Sequence, residues 1–357
     1  MKKVMLASCL TLLAATASAQ TEVAPYRPGV TPDGVTYYLP RTVIRFVVTA
    51  EKTVYRPGEF CKYADRYLRL RGVSPEASTT WTLKDVSAET YGIPDKEKLY
   101  NIRLKSKTLA PLVELTEDGI LLAINTEGEE ETLAPVPTGT RPGKPLNPRD
   151  YMDQEMLSAG STAKTAELVA QEIYEIRESR NALIRGEADN TPKDGAQLKL
   201  MLDQLTLQET ALLQLFKGTL ETTTEIFSFE LDPTEEVDKT VLFRFSQRRG
   251  LVDKDDLGGE PVYISIRDLK TVPEPVYDEK TAKKKAKMEM GVFYNVPGRA
   301  ALTVFDAQKT YCKEEYTMGQ FGNVEILSDL LFNKKTATKV TFYQTSGGIK
   351  HIEAEEP

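Results

Sequence analysis

The residues best placed to hold a metal ion lie in one short acidic run. Asp253, Asp255 and Asp256 are followed by two glycines and Glu260. Calcium takes carboxylate oxygens from flexible loops, and glycine permits the sharp turn that such loops need. The spacing differs from that of the EF-hand, and the same residues suit an acidic turn between two strands. The four carboxylates are the metal candidate of this chain, and the turn is the favoured interpretation.

Nucleophilic catalysis by a serine or a cysteine would depend on His351, because the chain has one histidine. This residue lies in a predicted final strand, where a side chain that faces solvent is the default. One histidine and two distant cysteines, Cys61 and Cys312, give no recognisable zinc-ligand spacing. Gly-x-Gly-x-x-Gly and P-loop patterns are absent from the sequence, so nucleotide binding has no support. The sequence therefore predicts no catalytic residue and no cofactor.

Carbohydrate chemistry leaves two alternatives open. The paired carboxylates of a glycosidase can be far apart in sequence, and among 53 acidic residues some pair is bound to exist. Trp81 and the 16 tyrosines could form a platform on which sugars stack, but Trp81 and Leu83 also fit the core of a strand. We favour a non-enzymatic structural or interaction module. A carbohydrate-active or peptide-processing enzyme and a glycan-binding module are the alternatives.

The first 19 residues have the three parts of a cleavable signal peptide. Lys2 and Lys3 form a positive start, residues 4–17 form an apolar stretch, and Ala17-Ser18-Ala19 is the small-residue pattern that signal peptidase cuts after. The apolar stretch is shorter than the roughly 20 residues that span a bilayer. We therefore expect export to the periplasm, the outer membrane or the exterior, with a mature chain that begins at Gln20.

The cysteines raise two further questions about the exported chain. Cys9 ends a short box, Leu6-Ala7-Ser8-Cys9, of the kind that precedes a lipidated cysteine. Signal peptides have an apolar region of about 7–15 residues, and too little of one precedes this box, so we favour cleavage after Ala19. An export compartment permits a disulfide between Cys61 and Cys312. Free cysteine is commonly just buried, and we favour two free thiols while leaving their pairing open.

The charge balance excludes one class of partner. The chain has 46 basic and 53 acidic residues, a net charge of −7, and loss of the leader removes two of the lysines. Binding to nucleic acid needs a basic face, so we expect no nucleic-acid partner. No later segment reaches membrane-spanning length, so we expect no transmembrane segment in the mature chain. The sequence leaves the partner unknown, and an envelope protein and a glycan are the two candidates.

The hydrophobic patterns predict a mixed, mainly β fold. It has sandwich-like β domains and an intervening antiparallel αα-hairpin. Five prolines in twenty residues predict a semi-rigid linker between the first β region and the helices. Whether the two β regions form one sandwich or two is left open. The predicted segments are a signal peptide over 1–19, a β-rich domain over 20–130 with one short helix at about 59–71, the linker over 131–150, the αα-hairpin over 151–220 and a second β-rich domain over 221–357.

The helical hairpin has the clearest apolar periodicity after the leader. We expect Asp194 to cap the second helix, Gly218 to end it, and Gly186 to break the first. The loop between the helices carries Glu187 and Asp189, which suit either a partner contact or a solvated connection. Val169, Ile173 and Ile176 form an apolar face of the first helix, which Leu183 and Ile184 continue. We predict that Val169, Ile173 and Ile176 meet Leu198, Leu205 and Leu212 of the second helix in a buried seam.

Four parts of the chain carry a resemblance to known proteins. They are Phe60-Cys61-Lys62-Tyr63-Ala64-Asp65-Arg66-Tyr67-Leu68, then Glu175-Ile176-Arg177-Glu178-Ser179-Arg180 with Gly186-Glu187-Ala188-Asp189-Asn190, then Gly291-Val292-Phe293-Tyr294-Asn295-Val296-Pro297-Gly298, and Gln320-Phe321-Gly322-Asn323-Val324-Glu325 before Leu330-Leu331-Phe332. Together they resemble a whole-length family of exported proteins from gut Bacteroidota that is described as a domain of unknown function. The resemblance implies compartment and architecture, and it implies no activity and no functional residues.

Overall fold

The computed structural model describes residues 22–25, 34–103, 112–141, 143–189, 192, 194–273, 291–328 and 337–355. The predicted signal peptide, the Cys9 box and the Leu330-Leu331-Phe332 run lie outside the described residues. The strands are β1 Glu22–Pro25, β2 Val35–Arg56, β3 Ser78–Arg103, β4 Val113–Leu115, β5 Leu121–Ile124, β6 Thr219–Leu231, β7 Val237–Ser246, β8 Gly250–Val252, β9 Glu260–Asp268, β10 Gly291–Phe305, β11 Thr310–Ser328, β12 Ala337–Phe342 and β13 Ile349–Glu355. The α-helices are α1 Ala64–Leu68, α2 Gln154–Ser158, α3 Thr162–Arg185 and α4 Gly195–Lys217, and short 3₁₀ turns occupy Cys61–Tyr63 and Pro148–Tyr151.

The predicted mainly β class is confirmed, with 48% strand and 23% helix. The strands form three antiparallel sheets. The first sheet has the order β1-β3-β2-β6, the second β11-β10-β9-β7-β8 and the third β13-β12-β5-β4. Strands from both sides of the proline-rich segment pair directly, since β2 pairs with β6 and β5 pairs with β12. The two β regions therefore share sheets.

The first and second sheets enclose one apolar core. Ile44, Phe46 and Val48 alternate along β2 and lie on one face, and all three are fully buried. They pack in a cluster with β9 and β10 residues such as Ile264 and Leu302. Side chains alternate across a strand, so a single buried run on β2 supplies every second residue to this core. The packing fixes the position of the second sheet against the first.

The long hairpin of β2 and β3 connects the sheets to a helical lobe. The pairing register of this hairpin continues from Val35 to Tyr55 with two shifts. The loop at its tip carries the 3₁₀ turn and α1. The helical residues in this loop end at Leu68, with Arg69 in a left-handed conformation (φ 57°), so the helix is shorter than the predicted 59–71.

The helical lobe has a core of its own. Phe60 and Leu68 from the loop pack with Val169 and Ile173 of α3 and with Phe216 of α4. The backbone amide of Phe60 donates to the carbonyl of Leu215, 2.7 Å away, which ties the loop to the end of α4. Phe60 and Phe216 meet edge to face, with ring centroids 5.5 Å apart. The lobe is thus anchored to the tip of the β hairpin.

The two long helices lie where their periodicity predicted. Ser161 accepts a hydrogen bond at the start of α3, and Asp194 does so at the start of α4. Gly186, with φ of 71°, ends α3, and Gly218 ends α4, as predicted. Parts of the connection between the helices, residues 190, 191 and 193, lie outside the described residues.

Part of the predicted seam is wrong. Val169, Ile173, Ile176, Leu183 and Leu212 are buried as expected. Ile184 is 64% exposed, because it follows Leu183 by one residue and points away from α4. Leu198 and Leu205 are only half-buried. The core thus fills the proximal part of the helix pair, next to the β hairpin, and leaves the distal part open.

The predicted proline-rich linker runs along an edge of the first sheet. Its Thr140 carbonyl accepts a hydrogen bond from the amide of Thr224 in the edge strand β6. Gly139 is required here, because a side chain at this position would collide with the Thr224 carbonyl. Further along the sheet, Arg45 donates to the carbonyl of Ala134. The segment therefore covers polar groups of an edge strand, which would otherwise be open to pairing with another chain.

Candidate functional site

A groove of about 690 Å³ lies between the distal parts of α3 and α4. Its apolar walls include Ala182 and Leu183 of α3 and Leu200, Met201 and Leu205 of α4. Glu187 and Asp189, just after α3, lie at its rim. We call this feature, defined by these seven residues, the distal groove.

The distal groove exists because the apolar stripe of α4 is longer than the core that it serves. The buried residues of α4 are Glu209, Ala211, Leu212 and Phe216, all in its C-terminal half. The N-terminal half continues this stripe with Met201, which is 40% exposed, and Leu200 beside it is 61% exposed. Large apolar side chains exposed together on one surface are typical of a contact site.

A buried ion cluster holds the helix pair in register below the groove. Glu209 of α4 is 8% exposed. One of its carboxylate oxygens lies 2.7 Å from Nε of Arg177, and the other lies 2.6 Å from Nη1 of Arg180. Charge-assisted bonds of this geometry are among the strongest in proteins. These bonds fix α3 against α4 one helical turn from Leu205 in the distal groove. Both arginines belong to the segment Glu175–Arg180, which carries part of the family resemblance.

A second, more polar cleft of about 790 Å³ lies between the first and second sheets. Glu260 and Asp306 are on its wall, beside Tyr311 and Lys309. Burial favours the protonated form of Asp306, but hydrogen bonds from the Tyr311 hydroxyl and from the amides of Lys309 and Gln308 outweigh it and lower the pKa of the carboxyl. A general acid needs a raised pKa, so the electrostatics of Asp306 do not suit that role.

Trp81 borders the same cleft but offers no open ring face. It is 8% exposed. The backbone of Gly250 packs against the ring so closely that a side chain there would meet it, and Nζ of Lys52 lies 5.2 Å from the ring centroid. These contacts cover the surface on which a sugar would stack. Trp81 is therefore part of the strand packing, which was one of the two interpretations that the sequence allowed.

The acidic run forms the turn between β8 and β9. Asp253 Oδ1 accepts from the amide of Asp255, and Asp256 Oδ1 accepts from the amide of Gly258. The latter hydrogen bond and the Arg249 guanidinium, 2.7 Å from Asp256, lower the pKa of the Asp256 carboxyl. Glu260 lies beyond the turn, at the start of β9. Among the described residues, no three histidine, cysteine or acidic side chains are grouped so that they could hold a metal ion.

His351, Cys61 and Cys312 line neither the distal groove nor the polar cleft. His351 is exposed on β13, and its Nε2 lies 3.9 Å from Glu353. Cys61, in the helical lobe, and Cys312, on β11, are both free thiols. Burial, aided by the nearby charges of Glu314 and Asp85, raises the pKa of the Cys312 thiol to about 11. A thiol with so high a pKa is a poor nucleophile at neutral pH.

Residues that the sequence did not single out for a role form a buried polar junction where the three sheets meet. The side chain of Gln320 accepts from the amide of Thr42 and donates to its carbonyl, at 3.0 and 2.7 Å. Asn295, fully buried, donates to the carbonyls of Pro40 and Ser346. These bonds satisfy β2 backbone groups near a shift in its pairing register. The one sequence signal for these two residues was that Asn295 and Gln320 lie in segments that carry the family resemblance.

The resembling segments thus serve architecture in the described structure. Phe60 anchors the lobe, Arg177 and Arg180 bind Glu209, and Asn295 and Gln320 form the junction. The molecule belongs to the class of mainly β proteins with three antiparallel sheets and an attached helical lobe.

A family model described as DUF4831, a domain of unknown function, matches residues 33–350. The chain belongs to this family. Comparison with curated proteins and with solved structures finds no significant match. Within the described residues, none of the helices combines the length and the apolar character needed to cross a membrane.

Proposed function

We propose that this chain is an exported cell-envelope protein that works as a non-enzymatic interaction module. In this proposal the paired sheets form a sandwich-like body, and α3 and α4 form an antiparallel hairpin that presents the distal groove to a partner. The observation that carries the proposal is the exposure of Leu200 and Met201 beside an otherwise well-packed helical core. A signal-peptide pattern over residues 1–19 supports the export of the chain.

The groove supports contact with a protein better than contact with a small polar ligand. Its walls are leucine, methionine and alanine side chains, and its charged groups lie at the rim. Interfaces commonly have this arrangement, with an apolar centre and a polar edge. The helices that form it are held by their own core and by the Glu209 ion cluster. The site is therefore organised before any partner arrives, which reduces the entropy that binding would cost.

The alternative of a carbohydrate-active enzyme or a glycan-binding module has its support in the polar cleft. Glu260 and Asp306 lie on one wall of a concavity large enough for a small ligand. Against this, the pKa of Asp306 is lowered, and the ring of Trp81 is covered. We therefore place the function at the distal groove.

The test is site-specific photo-crosslinking in the cells that make the protein. A photoreactive residue replaces Met201 in the groove or, as a control, Leu157, an exposed leucine on α2 that does not line the groove. We expect a discrete crosslinked band from position 201 and none from position 157. Equal crosslinking from both positions, or none from position 201, would contradict the proposal.

Export is tested separately on the same cells. The A-x-A pattern predicts that N-terminal analysis of the protein from the envelope fraction begins at Gln20. A chain that begins with a diacylated Cys9 would contradict cleavage after Ala19 and would show that the protein is anchored by lipid. A chain that keeps Met1 and stays in the cytoplasm would contradict the proposed export to the cell envelope.

A further inference from the structure

The geometry points to one kind of occupant for the distal groove: an amphipathic helix of another protein, with an apolar face and a basic border. This inference rests on the proposed function and adds the chemistry of the partner. The groove runs between two helices, and the space between two packed helices accepts a third helix whose apolar side chains recur every three or four residues. Its apolar walls come from both helices, with Leu183 on α3 and Leu200 and Met201 on α4.

The charge of the groove selects the border of the partner. Among the described residues that line it, the two charged ones, Glu187 and Asp189, are acidic. Arg185 approaches Glu187 to 3.9 Å, but both side chains are 66% exposed. An ion pair that is so exposed contributes little and leaves Glu187 able to bind another cation. Lysine or arginine beside the apolar face of the partner would therefore complement the rim.

A second copy of this chain fits the same groove less well. A two-fold contact places the same patch of both copies face to face. The rim carboxylates of Glu187 and Asp189 would then meet those of the other copy, and like charges brought together across an interface cost affinity. The charge of the rim thus favours a different, basic partner over self-association.

The test uses the full-length protein and two synthetic helical peptides of 18 residues. One peptide carries leucines at positions that repeat every three or four residues, with lysines elsewhere, and the other replaces every lysine by glutamate. Fluorescence anisotropy of an end-labelled peptide measures the dissociation constant. We expect the leucine–lysine peptide to bind at least about tenfold more tightly than the leucine–glutamate peptide, a difference of about 1.4 kcal/mol.

Two test variants and one control variant separate the apolar contribution to binding from the charge contribution. Leu200→Asp adds a negative charge, yet it should weaken binding of the leucine–lysine peptide by about tenfold or more, because it places a carboxylate in the apolar wall. Leu157→Asp makes the same chemical change at an exposed leucine outside the groove and should leave the dissociation constant unchanged. The double variant Glu187→Gln, Asp189→Asn should narrow the preference between the two peptides to about threefold or less.

The outcomes that would overturn the inference are distinct. If Leu200→Asp binds the leucine–lysine peptide as tightly as the unmodified protein, the attraction is general to an acidic protein and the groove is not the site. If both peptides bind equally, the inference that the partner helix has a basic border is wrong. A crosslink from position 201 would still support the proposed function. If light scattering finds a dimer that Leu200→Asp dissociates, a second copy is the occupant. Circular dichroism checks that Leu200→Asp is folded. Met201→Asp, a second variant in the apolar wall, should weaken peptide binding in the same way.

Discussion

Replacing Glu209 by glutamine tests whether the buried ion cluster holds α3 and α4 together. Glutamine keeps the shape of glutamate but removes the charge that both Arg177 and Arg180 bind. Its one remaining acceptor can serve one arginine, and its amide group presents donors to the other. Glu209 is 8% exposed, so water cannot easily replace the lost carboxylate oxygen.

The expected loss of stability follows from these contacts. Removing one partner of a fully buried ion pair costs about 3–5 kcal/mol. The side chains of Arg177 and Arg180 are about 30% exposed, so water recovers part of their solvation. We therefore expect Glu209→Gln to reduce the stability of the helical lobe by about 2–3 kcal/mol.

Hydrogen exchange is the appropriate assay, because the lobe has its own core and can open apart from the sheets. A loss of about 2–3 kcal/mol should speed exchange of protected amides in α3 and α4 by about 30- to 160-fold. Amides in β9 and β10 should exchange as before. Glu178→Gln, at an exposed glutamate on the same helix α3, is the matched control and should have little effect.

The reasoning about the ion cluster would be refuted by two results. Equal exchange rates in Glu209→Gln and Glu178→Gln would show that the two arginines contribute nothing to lobe stability. Uniform acceleration across helices and sheets would show that the lobe does not open on its own.

Three further predictions concern the junction, the thiols and the helical core. Gln320→Ala removes a side chain that satisfies β2 backbone groups and should cost about 1–3 kcal/mol in a denaturant melt, because buried polar groups lose their partners. In native alkylation at pH 8 followed by mass spectrometry, Cys61 should react before Cys312, whose pKa is raised to about 11. Leu212→Ala should cost about 2–5 kcal/mol, since the side chain is fully buried, whereas Leu200→Ala should cost within about 0.5 kcal/mol.

Each of these predictions has a control or a contrary outcome. Gln308→Ala, at an exposed glutamine, should melt like the unmodified protein, and an equal loss in both glutamine variants would contradict the role of the junction. Equal alkylation rates for the two cysteines would mean that Cys312 is accessible and ionises normally. If Leu200→Ala costs more stability than Leu212→Ala, the core lies at the distal end of the helices.

The sequence by itself determined the features that depend on neighbours along the chain. Asp194 and Gly218 mark the ends of α4 because capping involves only adjacent residues. The alternation of Ile44, Phe46 and Val48 predicts one buried face, since successive strand residues point to opposite sides. Residues 117–119 form the turn between β4 and β5, and Gly119 supplies the left-handed conformation, φ 82°, that this turn uses. The mainly β class follows from many such local patterns.

Only the tertiary structure decided which distant segments meet. The pairing of β2 with β6 joins strands that the helices separate, and Gln320 binds Thr42, 278 positions away. Met201 and Leu212 lie about three helical turns apart on the same apolar stripe of α4, yet one is 40% exposed and the other fully buried. Their difference lies in what packs opposite each residue. Periodicity along a helix states which face is apolar, but whether that face meets a core or remains open for a partner depends on the rest of the fold.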